Sequence, residues 1–141
     1  MKKIAIVYWS GTGNTEAMAT AVAQGVKESG AEAELFTADL FAAEKMDSYD
    51  AIAFGCPSMG SEQLEESEFL PTFEACEGKL SGKRIALFGS YGWGDGEWMR
   101  NWEETCIADG AVMACEPVIC CEAPDEDAVV ACRKMGAKLS E

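Results

Sequence analysis

The chain has 141 residues, 48% of them hydrophobic, with 25 acidic residues against 11 basic ones, no histidine and a formal charge of −14. The length suits one domain, residues 1–141, with a sizeable core, and the composition excludes a disordered chain. The charge argues against a nucleic-acid backbone or an anionic membrane surface as partner and favours attraction to something basic.

Lys3 to Tyr8 is β-branched and apolar and predicts a buried strand. The run from Met1 to Val7 is too short for a secretory signal before Trp9-Ser10-Gly11 interrupts it, and no run is long enough to cross a bilayer, so the expected location is the cytoplasm. Met18, Val22 and Val26 then recur at helical spacing up to Gly30. Glu34 to Thr37 reads as a second strand, and Asp39 to Lys45 as a short helix. Ala51 to Cys56 is a third strand stopped by Pro57, followed by a helix over Glu65 to Glu77. Arg84 to Phe88 is a fourth strand, and Glu97 to Ala108 a helix. Ala111 to Cys121 holds a fifth strand with Pro117 marking a bend or edge, and Asp125 to Leu139 closes the chain as a helix.

Strands alternate with helices throughout, which predicts an α/β fold: one parallel sheet with helices on both faces. Ligands of such sheets bind beyond the carboxyl ends of the strands, where strand order reverses. That rule selects three loops, 9 to 15, 56 to 62 and 89 to 97.

The first carries Ser10, Gly11, Thr12, Gly13, Asn14 and Thr15 ahead of a helix. Its glycines let amide N–H groups converge, the helix N-terminus adds partial positive charge, and the hydroxyls and amide add neutral donors. That set suits a phosphate. It is not a P-loop, since the lysine is missing, nor a dinucleotide fingerprint, since position 16 is Glu16. A Ser/Thr-rich turn that merely caps the helix fits the composition equally well. The second loop, Ser58-Met59-Gly60-Ser61-Glu62, offers an apolar lid, a flexible peptide and an acceptor for a ring N–H. The third interleaves Ser90, Tyr91, Gly92, Trp93 and Gly94, and Trp93 between two glycines is placed to stack on a planar ring. Taken together, the loops suit a phosphorylated, flat, heteroaromatic cofactor such as flavin mononucleotide (FMN).

The seven cysteines form no C-x-x-C pair and are read as thiols packed as small hydrophobes, with no metal site.

Tyr8 to Thr15, Met59 to Glu62 with Leu64 to Ser67, and Leu87 to Gly94 together resemble the short-chain flavodoxins of anaerobic bacteria, the clostridial type, over essentially the whole chain. The resemblance implies a three-layer α-β-α sandwich around a five-stranded parallel sheet of order 2-1-3-4-5. It implies a non-covalently bound FMN and a low-potential one-electron carrier, not an enzyme, cycling mainly between semiquinone and hydroquinone. It assigns residues 10 to 15 to the phosphate, Met59 and Trp93 to opposite flavin faces, Glu62 to the flavin N3–H and Gly60 to a redox-linked peptide flip. Cys120-Cys121-Glu122 departs from the family pattern and is left out of the expected site. The alternative is an FMN-dependent NAD(P)H or quinone reductase. A phosphorelay receiver is excluded, because Trp9-Ser10 and Cys56-Pro57 stand where its acids belong.

Residues 46 to 78 contain eight acids and no Lys or Arg, and residues 101 to 132 repeat eight acids. Such an acidic rim suits transient docking to basic patches of redox enzymes, expected to be ferredoxin-type oxidoreductases, by a monomer that binds neither nucleic acid nor membrane.

Overall fold

The computed structural model describes residues 2–60 and 62–141. Its elements are β1 (Lys3–Tyr8), α1 (Asn14–Glu28), β2 (Glu32–Thr37), two short 3-10 turns (Ala38–Leu40 and Ala43–Ser48), β3 (Ala51–Gly55), α2 (Phe69–Glu77), β4 (Arg84–Tyr91), α3 (Glu97–Ala108), β5 (Val112–Met113), β6 (Val118–Cys121) and α4 (Glu126–Leu139). The sheet order is β2-β1-β3-β4-β5, with β6 also paired to β4, and every strand pairing is parallel. The expected order is therefore present. The expected fifth strand is split in two, because Pro117 has no N–H for the ladder. Its halves pair with the two ends of β4, Arg84 with Val112 and Tyr91 with Cys121.

Alternation along the strands builds two cores. Ala5, Val7, Ile52, Phe54, Ile85 and Leu87 face an aromatic cluster that includes Phe69 and Phe73 of α2 and Trp98 and Trp102 of α3. Ile4, Ile6, Ala51, Ala53, Ala86 and Phe88 face α1 and α4. The small strand residues on this second side let the helices approach closely. Gly25 and Gly136 do the same between the helices, since a Cβ on Gly25 would lie 1.9 Å from the Arg133 carbonyl oxygen.

Two other expected boundaries move. The segment after β2 forms 3-10 turns instead of an α-helix. The helix expected from Glu65 begins at Phe69, because the Glu65 side chain folds back onto the first amides of α2. All seven cysteines are free. Cys56, Cys76, Cys106 and Cys132 are buried as expected of small hydrophobes, whereas Cys115 and Cys120 are half-buried and Cys121 is exposed. Burial pushes the thiols of Cys106 and Cys132 up to about 12, so they are inert as nucleophiles. No helix of the described residues is long and apolar enough to cross a membrane.

Candidate functional site

At the carboxyl ends of β1, β3 and β4 lies a cleft of about 520 Å³. The first loop contributes Gly11, Thr12 and Asn14 to its wall, and the second contributes Ser58 and Met59. Ser90, Tyr91 and Gly92 come from the end of β4. All three loops selected from the sequence thus meet at one place, where the strand order reverses between β1 and β3. Trp9, Pro57, Glu122 and Ala123 also line the cleft and were not among the expected residues. The strand-end rule reaches the β6 loop as well, so it was a usable signal for Glu122, whose φ of 59 marks a sharp turn there.

The remaining expected residues that the structure describes do not line this cleft. Ser10 Oγ accepts from the amides of Gly13 (3.1 Å) and Glu16 (3.2 Å), so its hydroxyl closes the first loop and caps α1. Ser10 and Gly13 line an adjoining recess of about 280 Å³, shared with Tyr8, Glu16 and Glu68. Burial and the neighbouring Glu16 carboxylate raise the Tyr8 phenol above its ordinary value. Thr15 is buried, and its Oγ1 has no hydrogen-bond partner. Native proteins rarely leave a buried hydroxyl unpaired.

The second loop is a tight hairpin. Met59 and Gln63 exchange both backbone hydrogen bonds at 2.8 Å. Gly60 has φ 53, the left-handed region open to glycine, and a Cβ there would meet nothing within 4 Å. Glu62 is also left-handed, at φ 54, and this costs a side-chain-bearing residue strain. Ser61 lies outside the described residues. The Glu62 carboxylate does not line the cleft. It accepts from the Glu97 amide at 3.2 Å and presses on Gly94, where a Cβ would lie 2.5 Å from its oxygen. Gly94 thus allows the second and third loops to touch. Carboxylates of Glu62, Asp95 and Glu97 come within 4.8 Å of one another. Asp95 is already paired with Arg100 at 3.1 Å and Glu62 with the Glu97 amide, so this cluster is not assigned to a metal.

In the third loop, Ser90 Oγ donates to the Glu122 carbonyl at 2.7 Å and ties the loop to the end of β6. Tyr91 packs against buried Trp98, their ring centroids 5.6 Å apart. Trp93, expected as a stacking face, is 62% exposed and does not line the cleft, and Met59 is 38% exposed. The aromatic wall is made by Trp9 and Tyr91 instead.

The donor set fits a phosphorylated flavin. The unpartnered Thr15 hydroxyl belongs to the same loop as the cleft-lining Thr12 and Asn14, and none of these groups is charged. A phosphate there would satisfy an oxygen that the protein itself leaves orphaned.

Comparison with known proteins agrees with this geometry. The sequence pattern of the Flavodoxin family matches residues 6–136. The flavodoxin of Clostridium beijerinckii is 47% identical over 135 residues, 96% of this chain and 97% of that protein. The flavodoxin of Megasphaera elsdenii is 44% identical over 133 residues, 94% of this chain and 95% of that protein. Among solved structures, the two-electron reduced Megasphaera elsdenii flavodoxin superimposes with a TM-score of 0.90 at 43% identity, covering 97% of this chain and 98% of that one.

Proposed function

The chain belongs to the flavodoxin family and is an FMN-binding electron carrier, not an enzyme; on that premise we propose how its residues hold the cofactor and meet its partners. The observation that carries the proposal is the convergence of the three loops on one cleft, with an unpartnered buried hydroxyl, Thr15, on the loop that supplies the lining residues Thr12 and Asn14. The reductase alternative is not favoured, since the chain matches carriers over nearly their whole length.

FMN supplies one-electron redox chemistry when bound. Ser10 shapes the loop, while Gly11, Thr12, Gly13, Asn14 and Thr15 present amide, hydroxyl and side-chain donors to the phosphate. Ser58, Met59, Ser90, Tyr91 and Gly92 wall the ring. Trp93 would cover its outer face and Glu62, for which Gly94 leaves room, would accept from a ring N–H, each by turning in from its place outside the cleft wall. The Gly60 carbonyl, were its peptide to turn over, would accept a hydrogen bond from a ring N–H of the cofactor. A neutral hydrogen bond of that kind is worth about 0.5–1.5 kcal/mol net. The apolar wall and the acidic excess oppose added negative charge in the cleft, which lowers the potential for the second electron.

We assign the partners as redox enzymes with basic docking patches, of the ferredoxin-type oxidoreductase kind, met by this single domain as a monomer. Seven free thiols suit the reducing cytoplasm. Electron transfer to a basic partner should slow as ionic strength rises, since the Debye length falls from about 10 Å at 0.1 M to about 3 Å at 1 M. A flat or rising profile would defeat electrostatic docking, and turnover of NAD(P)H by the purified protein alone would revive the reductase reading.

A further inference from the structure

Among the described residues of the hairpin at 59–63, Gly60 and Glu62 are left-handed, and Glu62 carries a side chain. Such strain persists only where the surroundings over-determine the backbone. The surroundings here are specific. At the entry, Cys56 donates its amide to the Phe88 carbonyl at 3.1 Å, and its own carbonyl accepts from the buried Trp98 indole at 3.2 Å. Ser58 donates its amide to the Ser90 carbonyl at 2.9 Å. The exit is pinned to the entry through a thiol, since the Glu65 amide donates to Cys56 Sγ at 3.3 Å.

Glu65 then anchors the exit a second time. Its side chain is buried, at 6% exposure, yet no cation pairs with it among the described residues. Its charge is met by the start of α2 instead. One carboxylate oxygen accepts from the amides of Glu68 and Phe69, each at 2.8 Å. The other accepts from the Ser67 amide at 2.9 Å and from the Ser67 hydroxyl. The same turn reaches the first loop. Glu68 accepts the indole N–H of Trp9 at 2.9 Å. The Trp9 ring lies on Gly11, where a Cβ would be 3.0 Å from it.

We propose that Glu65 is a positioning residue for the electron-carrying site: through the Glu65–Phe69 turn it fixes the strained hairpin at its exit and holds that hairpin in register with the Trp9 wall of the phosphate loop. This rests on reading the hairpin as the cofactor's redox-linked hinge. A peptide that reorients between two states can set a potential only if the ends of its loop stay still. The clamp of Cys56 and Glu65 supplies fixed ends, and the left-handed Gly60 and Glu62 supply the movable middle.

The test has two arms. In the apoprotein, amide hydrogen exchange at Met59 and Gln63 reads the hairpin without any cofactor. Glu65→Gln should speed it by about tenfold, the factor equivalent to about 1.4 kcal/mol, while amides of β1 and β3 stay protected. In the FMN-loaded protein, the gap between the two one-electron potentials should narrow. Unchanged exchange overturns the clamp. Faster exchange with unmoved potentials makes Glu65 a helix cap alone and overturns its positioning role. Should Glu65→Gln fail to fold, Ser67→Ala removes one of the four donors and carries the same two readouts with smaller shifts. Failure of the parent protein to bind FMN would sink the proposed function separately, since the exchange arm does not depend on it.

Discussion

The loop from Ser10 to Thr15 and the hairpin from Met59 to Gln63 face each other across one cleft, and they are built on opposite plans. The first is closed from within by the Ser10 hydroxyl and runs directly into α1, a helix of 15 residues. It presents neutral donors and leaves one of them, Thr15 Oγ1, without a partner. The second is held from outside, at its ends, with the left-handed Gly60 and Glu62 between. On the proposed reading the first is a fixed cradle whose missing partner is the ligand, and the second is a hinge whose conformation is set by its anchors. A carrier needs both, since it must keep its cofactor in every redox state yet respond to each electron.

The largest expected effect comes from removing what the cradle holds. FMN should bind more than about 100-fold tighter than riboflavin, because two or more hydrogen bonds to a charged group, each worth about 1.5–3 kcal/mol, are lost together. Titration of flavin fluorescence with the apoprotein measures this. Equal affinities would turn the loop into a simple helix cap.

Thr15→Val sharpens the same point with two opposite signs. An unpaired buried hydroxyl is costly, so its removal should leave the apoprotein as stable or more stable in urea denaturation. FMN affinity should fall by about 1.5–3 kcal/mol, the value of a hydrogen bond to a charged group. Loss of apoprotein stability with unchanged FMN affinity would mean that Thr15 is a core residue and no ligand to phosphate.

The two plans were unequally legible in the sequence. Three loops after three apolar runs were enough to bring Gly11, Met59 and Tyr91 to one place, because strand ends of a parallel sheet converge by topology. The cradle is local: its donors are neighbours in the chain. The hinge is not. Its anchors are contacts such as Glu65 to Cys56 Sγ, and no periodicity marks a side chain that folds back onto the next helix. The same contacts explain why α2 starts at Phe69 rather than at Glu65. Trp9 and Glu122 were not named because their place in the wall depends on how β1 and β6 flank the cleft, and Trp93 is exposed and outside the cleft lining. Pro117 was read as a bend or edge, and its effect was to divide the strand.

Gly60→Ala tests the hinge at its middle. A Cβ at this position meets nothing within 4 Å, so the penalty is in the backbone alone, about 1–2 kcal/mol at positive φ. The two one-electron potentials should shift unequally, because the two peptide orientations would carry the backbone penalty differently. Spectroelectrochemical titration resolves such a shift, since about 1.4 kcal/mol is tenfold in an equilibrium. Unmoved potentials would make Gly60 an ordinary turn glycine and leave the comparison without its movable half.

The smallest effect separates the anchors by their charge. The first loop is closed by a neutral hydroxyl, Ser10, whereas the hairpin's exit is held by the Glu65 carboxylate. Burial alone would raise the Glu65 carboxyl, but hydrogen bonds from Ser67, Phe69 and Glu68 outweigh it and hold it below the ordinary glutamate value of 4.5. A carboxyl lowered on folding contributes stability that is fully present above 4.5 and is lost as pH falls through the lowered value. The stability difference between the parent and Glu65→Gln should therefore be full at neutral pH and shrink in acid. The difference for Ser10→Ala should stay flat over the same range, because a hydroxyl does not titrate there. Urea denaturation of the apoproteins at neutral pH and at about pH 3, below the ordinary carboxyl range, reads both. A Glu65→Gln difference that did not change with pH would show that the carboxylate charge is not what anchors the hairpin. The contrast between a neutral cradle and an ionic hinge would then fall.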